Sequence, residues 1–333
     1  MDTRPLGKTG LKVSALSFGC GAVGGLMVKG TAADQEHAVA LALEFGINYF
    51  DTAPMYGNGE SERNLGRVLK ALNRPRVLVG TKVYLDKDCL EGQSDIGVAI
   101  ADAMDASLQR LGLESVDLYQ LHNPIDESGS GGTIGPKTVR EQVLPAFDSL
   151  RSQGKARHFG FTALGDTHAI HHVIDAFETA QVSFNMLNPS AGSNLPRGYP
   201  AQDYDNLIAR AYAGGIGTIG IRVLAGGALS GVESRHPLGM AHVDPIGSAS
   251  TYARDVARAN RFNAVVEKGF ADSLVEASIR FVLSNPKLST TLVGLSTLDQ
   301  LELAARSAEK GPLPAEALKL ISGVQQGFVG EAR

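Results

Sequence analysis

Four residues of unlike chemistry stand where the surrounding sequence does not anticipate them. Asp51 closes the apolar run "NYF", Lys82 interrupts "VLVGTKV", His122 ends "LYQL", and Tyr56 follows Asp51 in "DTAPMYGNGESE". A lysine is almost never fully buried without a partner, because removing an ammonium from water is expensive. If Lys82 lies in a buried strand, Asp51 is the counter-charge it needs. Tyrosine titrates at about pH 10, too high for easy proton exchange at neutrality, and a neighbouring ammonium favours the phenolate. Lys82 is therefore expected to lower the pKa of Tyr56. Histidine adds a hydrogen-bond donor that can orient a polar substrate atom. Together the set reads as a tuned proton donor and acceptor facing a carbonyl or an alcohol. Taken singly, each member has a plainer reading. Asp51-Thr52 can be a turn or cap pair, Tyr56 rim packing, Lys82 a side chain reaching solvent from a strand end, and His122 structural. What tilts the reading is whether all four meet on one rim.

That depends on the elements that carry them. Short apolar runs recur at 15–21, 48–53, 76–83, 116–122, 156–164, 180–185, 217–224 and 290–296. Helical periodicity separates them near 34–45, 61–72, 95–111, 138–153, 167–178 and 203–213. Further helices are expected near 251–267 and 272–284, before the last strand, and near 297–309 and 314–326 after it. Eight strand–helix units in a row predict a (β/α)₈ TIM barrel, residues 1–333 forming one domain. Arg4–Leu6 and Lys12–Ser14 are expected to pair across "GKTG" as a short N-terminal hairpin. In a barrel the C-terminal ends of neighbouring strands share one rim, where active sites are built. Asp51, Lys82 and His122 then lie side by side, with Tyr56 on the loop above.

Composition narrows the class. Hydrophobic residues make up 43% and charged residues 20%, the balance of an ordinary globular protein. A net charge of −4 without a Lys/Arg-rich run leaves no electrostatic footprint for nucleic acid or anionic membrane. Two cysteines, Cys20 and Cys89, exclude a disulfide scaffold and fit a reducing cytosol. The N-terminus lacks the apolar core of a signal peptide, and the apolar stretch 214–231 is interrupted by Arg222 and repeated glycines. A cytoplasmic protein acting on a small molecule is expected.

Gly19, Gly21 and Gly24 in "GCGAVG" match the dinucleotide-binding pattern G-x-G-x-x-G, with Asp51 at the end of the next strand. That site needs a helix N-terminus on the pyrophosphate directly after the glycines, whereas "GLMVKGTAAD" delays helical periodicity to Asp34. A glycine-lined first barrel loop is the better account. His168, His171 and His172 have helical spacing suited to metal ligation, but they fall on an outer helix away from the rim. A solvated helix face is expected there, and no metal.

The segments "RPLGKTGLKVS", "GINYFDTAPMYGNGESERNLG", "VGTKV", "SVDLYQLHNP", "QGKARHFGFT" and "LVGLSTLDQLE", taken in order, resemble the aldo-keto reductase superfamily over nearly the whole chain. The resemblance implies a barrel that binds a nicotinamide cofactor in extended form. It implies a tetrad of Asp51, Tyr56, Lys82 and His122, with Tyr56 the general acid in carbonyl reduction and the general base in reverse. Gln181 matches the family glutamine that bonds the nicotinamide carboxamide. Thr162 and Ala163 replace the usual Ser-Asn, and Ile221 replaces the aromatic that stacks on the nicotinamide. "VLAGGALSG" (223–231) resembles the pyrophosphate loop, bringing Leu224, Gly226, Gly227 and Leu229 to the cofactor, with Gly21 and Asp51 opposite. Arg222 meets either a cofactor phosphate or a barrel carboxylate.

At the nucleotide end stand Gly294, Ser296, Thr297 and Gln300, where NADP-preferring members usually carry Arg or Lys; Ala304 replaces the usual adenine-binding asparagine. A 2′-phosphate would lose its paired cation there, so NAD is expected over NADP unless Arg306 or a loop cation reaches in. The sequence looks closest to the sugar-oxidising branch, which includes L-galactose and L-fucose dehydrogenases. That implies a small sugar or aldehyde substrate. Loops 123–137, 186–202 and 228–250 are expected to frame the mouth, with Tyr199, His236, His242 and Tyr252 as substrate contacts. The alternative is a cofactor-binding regulatory module with little turnover, as in the potassium-channel β-subunits that resemble this family.

Overall fold

Strands that are apolar on both faces need cover on both. In the computed structural model, which describes residues 1–73 and 75–333, a closed barrel supplies it. A hairpin comes first, from β1 (Thr3–Pro5) and β2 (Lys12–Ser14). The barrel follows with β3 (Leu16–Gly19), β4 (Tyr49–Asp51), β5 (Leu78–Val83), β6 (Val116–Leu121), β7 (Ala156–Ala163), β8 (Thr179–Ser183), β9 (Gly217–Ile221) and β10 (Thr290–Gly294). All neighbours pair in parallel, and β10 closes on β3 through Thr291 opposite Leu16 and Gly294 opposite Gly19. The fold expected from the sequence is the one observed, with additional helices before the eighth barrel strand and at the C-terminal end.

The outer faces are covered by amphipathic helices. Ile96–Leu111 is capped by Asp95, whose carboxylate accepts from Val98 N at 2.9 Å, and buries Ile96, Ile100, Met104, Leu108 and Leu111. Each such side chain contributes roughly 1.5–3 kcal/mol of burial. Leu65, Val68 and Leu69 do the same for Glu60–Ala71. Inside, the alternation of strands puts Tyr49 and Asp51 on the inner face of β4, with Lys82 inward from β5 and Gln120 from β6.

Several boundaries depart from the sequence expectation for identifiable reasons. The hairpin pairs Thr3–Pro5, one residue earlier than expected. Leu6 is taken by the turn, its N–H bonded to Leu11 O at 2.9 Å, and its side chain plugs the barrel floor with Tyr49, Leu118 and Ile219. The helix expected from 138 starts at Pro136 and carries a π turn over Val139–Val143. Pro145 has no N–H to donate, and the Leu144 N–H reaches back five residues to Val139 O. β9 stops at Ile221 because Arg222 turns left-handed at φ 57°. A one-turn helix, Leu26–Lys29, does follow the glycine loop, contrary to expectation, and Ala32–Glu44 starts two residues before Asp34, capped by Thr31. The closed barrel nevertheless removes the open-sheet dinucleotide fold that the glycine pattern would require.

Candidate active site

Three consecutive strand ends supply the polar rim. Asp51 is the last residue of β4, Lys82 the penultimate residue of β5, and His122 follows β6, its N–H donating to Val83 O at 2.8 Å. Tyr56 stands on the loop between β4 and the helix Glu60–Ala71. The loop folds back sharply, with Gly59 left-handed at φ 83°, Gly59 N donating to Pro54 O at 2.7 Å and Ser61 N donating to Tyr56 O at 3.2 Å. The following Ser-Glu pair anchors that helix. Ser61 Oγ donates to Cys20 O at 2.8 Å, and Glu62, fully buried, accepts from Thr81 Oγ1 and Arg110 Nε, both at 2.6 Å.

Lys82 is fully buried, and its ammonium has three protons and three partners. Nζ donates to Asp51 Oδ1, to Thr52 O at 2.8 Å and to Tyr56 Oη at 3.2 Å. The second carboxylate oxygen of Asp51 accepts from Tyr49 Oη at 2.8 Å, Gln120 Nε2 at 3.0 Å and Gln181 Nε2 at 2.7 Å. The buried ion pair is thus compensated by a full set of hydrogen bonds, the condition under which such a pair is tolerated. The snorkelling reading of Lys82 does not hold.

The electrostatics correct one expectation. The pKa of Tyr56 is raised, because burial of the phenol outweighs the nearby Lys82 charge, with Asp51 adding to the rise. Lys82 lowers it only in part, so the phenol is held in its protonated form. For Lys82, burial opposes the charge, but Asp51 and Tyr56 more than compensate and the pKa is raised. His122 is pushed down to about 3, first by burial and then by the Lys82 charge, so its imidazole is neutral. Its Nδ1 is buried without a partner among the described residues, and the ring meets Tyr56 edge-on at 6.0 Å between centroids. The site can therefore present a phenolic proton and a neutral imidazole to one polar substrate atom.

These groups open onto a groove of about 410 Å³, within the range of small-molecule and cofactor sites. Asp51, Tyr56, His122, Gly21, Thr162, Gln181, Ile221, Arg222, Leu224, Gly226, Gly227, Gly294, Ser296, Gln300 and His236 all line it. Leu229 is packed into a core with Phe262 and Phe328, Thr297 caps the helix Leu298–Glu309, and neither faces the groove. Tyr199 also lies elsewhere: its hydroxyl donates to Leu187 O at 2.8 Å and its ring borders a second cavity with Leu195 and Gln325. Arg306 is turned onto Glu302 at 2.6 Å, whereas Arg235 and Tyr252 border the groove. Gly24 is not a phosphate cradle. Its missing Cβ would lie 2.3 Å from Leu295 N, so it permits backbone packing of the first loop on the end of β10.

Sequence reading missed Tyr49, Thr52, Gln120 and Glu62 as the shell that holds the tetrad. Strand parity carried the signal for two of them, since Tyr49 and Gln120 stand two residues before Asp51 and His122 and share their faces. The lining suits a dinucleotide on two counts. Gly226 and Gly227 adopt left-handed φ of 70° and 111° and bring backbone without a Cβ to the groove, and the polar side chains of Thr162, Gln181, Ser296 and Gln300 line it.

Among curated proteins the chain is 30% identical to L-galactose dehydrogenase of Arabidopsis thaliana over 307 residues, 91% of this chain and 86% of that one. It is 28% identical to versiconal hemiacetal acetate reductase of Aspergillus parasiticus, with 95% of each chain covered. The fold matches that of an aldo-keto reductase from Bacillus halodurans in its holo form, with a TM-score of 0.70 at 22% identity over 97% of this chain and 96% of the other. The Aldo/keto reductase family model matches residues 15–326. With the barrel, the rim and that match in place, the chain belongs to the aldo/keto reductase family.

Proposed function

We propose that residues 1–333 form one domain that acts as an NAD(P)-dependent oxidoreductase, moving a hydride between nicotinamide and a carbonyl or alcohol carbon of a small sugar or aldehyde. The observation that carries this reading is the phenol of Tyr56 at the groove wall, 3.2 Å from the buried ammonium of Lys82. Nicotinamide, when bound, supplies or accepts the hydride. In reduction Tyr56 gives its proton to the carbonyl oxygen, and Lys82 stabilises the phenolate left behind. In oxidation the phenolate takes the alcohol proton. Neutral His122 hydrogen-bonds the same oxygen, and Asp51 holds Lys82 charged and in place.

Thr162 and Gln181 would hold the carboxamide, Ile221 would pack on the ring, and Leu224, Gly226 and Gly227 would receive the pyrophosphate. Gln181 commits one Nε2 proton to Asp51, leaving its other N–H and its carbonyl oxygen for the carboxamide. Arg222 lines the groove beside these residues and is assigned here to a cofactor phosphate. Gly294, Ser296 and Gln300 would meet the adenosine end, where no cation of the helix Leu298–Glu309 faces in; Arg306 is bound to Glu302. That supports NAD. The L-galactose dehydrogenase relative supports a sugar substrate.

The test is a panel of sugars and aldehydes with both cofactors, followed at the nicotinamide absorbance for wild type and Tyr56→Phe. Cofactor affinity should be unchanged in the variant and turnover lost by about 10²–10⁴-fold. Retained turnover would remove Tyr56 as the acid. Tight cofactor binding by wild type with no turnover of any substrate would favour the regulatory-module reading instead.

A further inference from the structure

We propose that Glu127, His168 and His172 form a binding site for a divalent transition ion of zinc's class, tying the loop after β6 to the helix Thr167–Val173. The sequence alone shows the histidines, and their helix face is indeed exposed. What the fold adds is a carboxylate brought in from 41 residues away. His168 and His172 are one helical turn apart, with ring centroids 4.2 Å from each other. Both Nδ1 atoms converge on one oxygen, Glu127 Oε1, at 3.3 Å and 2.8 Å. The three ligand atoms lie within 4.8 Å of one another. Ligands around a tetrahedral zinc sit about 3.4 Å apart, for bonds of about 2.1 Å, so small rotations of exposed side chains complete the geometry.

The donor set decides the class of ion. Two imidazoles and a carboxylate suit zinc, nickel or cupric ions, whereas calcium and magnesium want oxygen alone. Three protein ligands leave a fourth position to water. The nearby cation, Arg140, is already engaged: it donates to Asp175 Oδ1 at 2.9 Å and to the carbonyl of His172, a backbone atom outside the ligand set. His171 takes no part, since its Nε2 contacts Tyr204 O at 3.1 Å on the other side of the helix. Glu127 lies on the loop that begins at His122, so a bound ion would fix the chain beside the candidate active site.

The tag-free full chain, titrated with zinc chloride by calorimetry, should bind one ion. His168→Asn, His172→Asn and Glu127→Gln should each weaken binding by at least about tenfold, while His171→Asn should match wild type. Cobalt(II) in place of zinc should give the visible absorption of a four-coordinate ion, lost in the same three variants. Because the three side chains are exposed, folding of each variant is checked by circular dichroism and expected to be unaltered. No binding at about 100 µM zinc, or equal binding by wild type and all three variants, would overturn the proposal.

Discussion

At the level of single residues the rim is governed by burial competing with charge. Lys82 was legible as an anomaly in a strand, and Asp51 as its counter-charge, because the cost of a buried ammonium is general. The direction of the Tyr56 shift was not legible, since the sequence does not say how completely the phenol is desolvated. With the phenol held protonated, reduction should be flat through neutral pH and fall only as pH rises through a value above about 10. Oxidation, which needs the phenolate, should rise over the same range. Removing the ion pair with Asp51→Asn/Lys82→Met deletes the Lys82 charge that favours the phenolate together with the weaker opposing influence of Asp51, so the reductive limb should move further up. A profile of kcat/KM against pH in both directions would show a downward shift if the account is wrong. His122 gives a second, independent check. Its folded pKa of about 3 lies below the unfolded value, so the unfolded chain binds the extra proton between about pH 6.5 and 3. Stability should therefore drop as pH falls through that window, and His122→Gln should lose less, by roughly 3 kcal/mol at pH 4. Denaturant titrations of both proteins at pH 7 and pH 4 would measure it, and equal losses would count against a neutral buried imidazole.

Among the elements, the strands were the most legible part, because a polar residue closing an apolar run in a parallel sheet marks the strand end that faces the rim. Helix interiors were legible from periodicity, and one start from its cap, Thr297, whereas the Asp95 cap of Ile96–Leu111 emerges only in the fold. What escaped were features set by backbone accounting: the π turn before Pro145, the left-handed turn at Arg222 and the one-turn helix Leu26–Lys29. The glycine pattern of the first loop belongs here too. A local pattern suggests phosphate contact, but Gly24 faces the backbone of Leu295. Gly21 instead faces the Tyr56 ring, where an added Cβ would lie 3.7 Å from the ring carbons, in ordinary van der Waals contact and without a clash. Gly24→Ala should therefore destabilise the fold by about 1–3 kcal/mol, because backbone cannot yield as a side chain can. Gly21→Ala should stay within about 0.5 kcal/mol in thermal or chemical unfolding. The opposite ranking, with Gly21 the sensitive position, would mean that the first loop is not packed on β10 as described.

Over the whole molecule, cofactor choice depends on what charges the fold brings to the far end of the groove. The barrel aligns the end of β10 with the helix Leu298–Glu309, and Ser296, Gln300, Leu303 and Ala304 line the groove there. The missing cation was legible in the sequence; where Arg306 points was not, because its partner Glu302 is chosen by helix geometry one turn away. Arg235, a loop cation, does border the groove, but its guanidinium is held by Gly226 O at 2.6 Å, Met240 O at 2.6 Å and Tyr252 Oη at 3.2 Å. These neutral acceptors take up the Arg235 N–H groups while leaving its charge in place, and no Lys or Arg of the helix Leu298–Glu309 faces the groove, so NAD should bind more tightly than NADP. Gln300→Arg supplies the cation while giving up one hydrogen bond, that from Ser296 N to Gln300 Oε1 at 2.8 Å. The lost neutral bond is common to both cofactors, whereas the charge-assisted contact, worth about 1.5–3 kcal/mol, is made by the 2′-phosphate alone, so NADP affinity should improve about ten- to a hundredfold relative to NAD. Gln300→Glu keeps an acceptor for Ser296 but adds a negative charge, and should discriminate further against NADP. Equilibrium binding of both cofactors to the three proteins reads the result, and an unchanged NAD to NADP ratio across them would place the adenosine ribose away from Gln300.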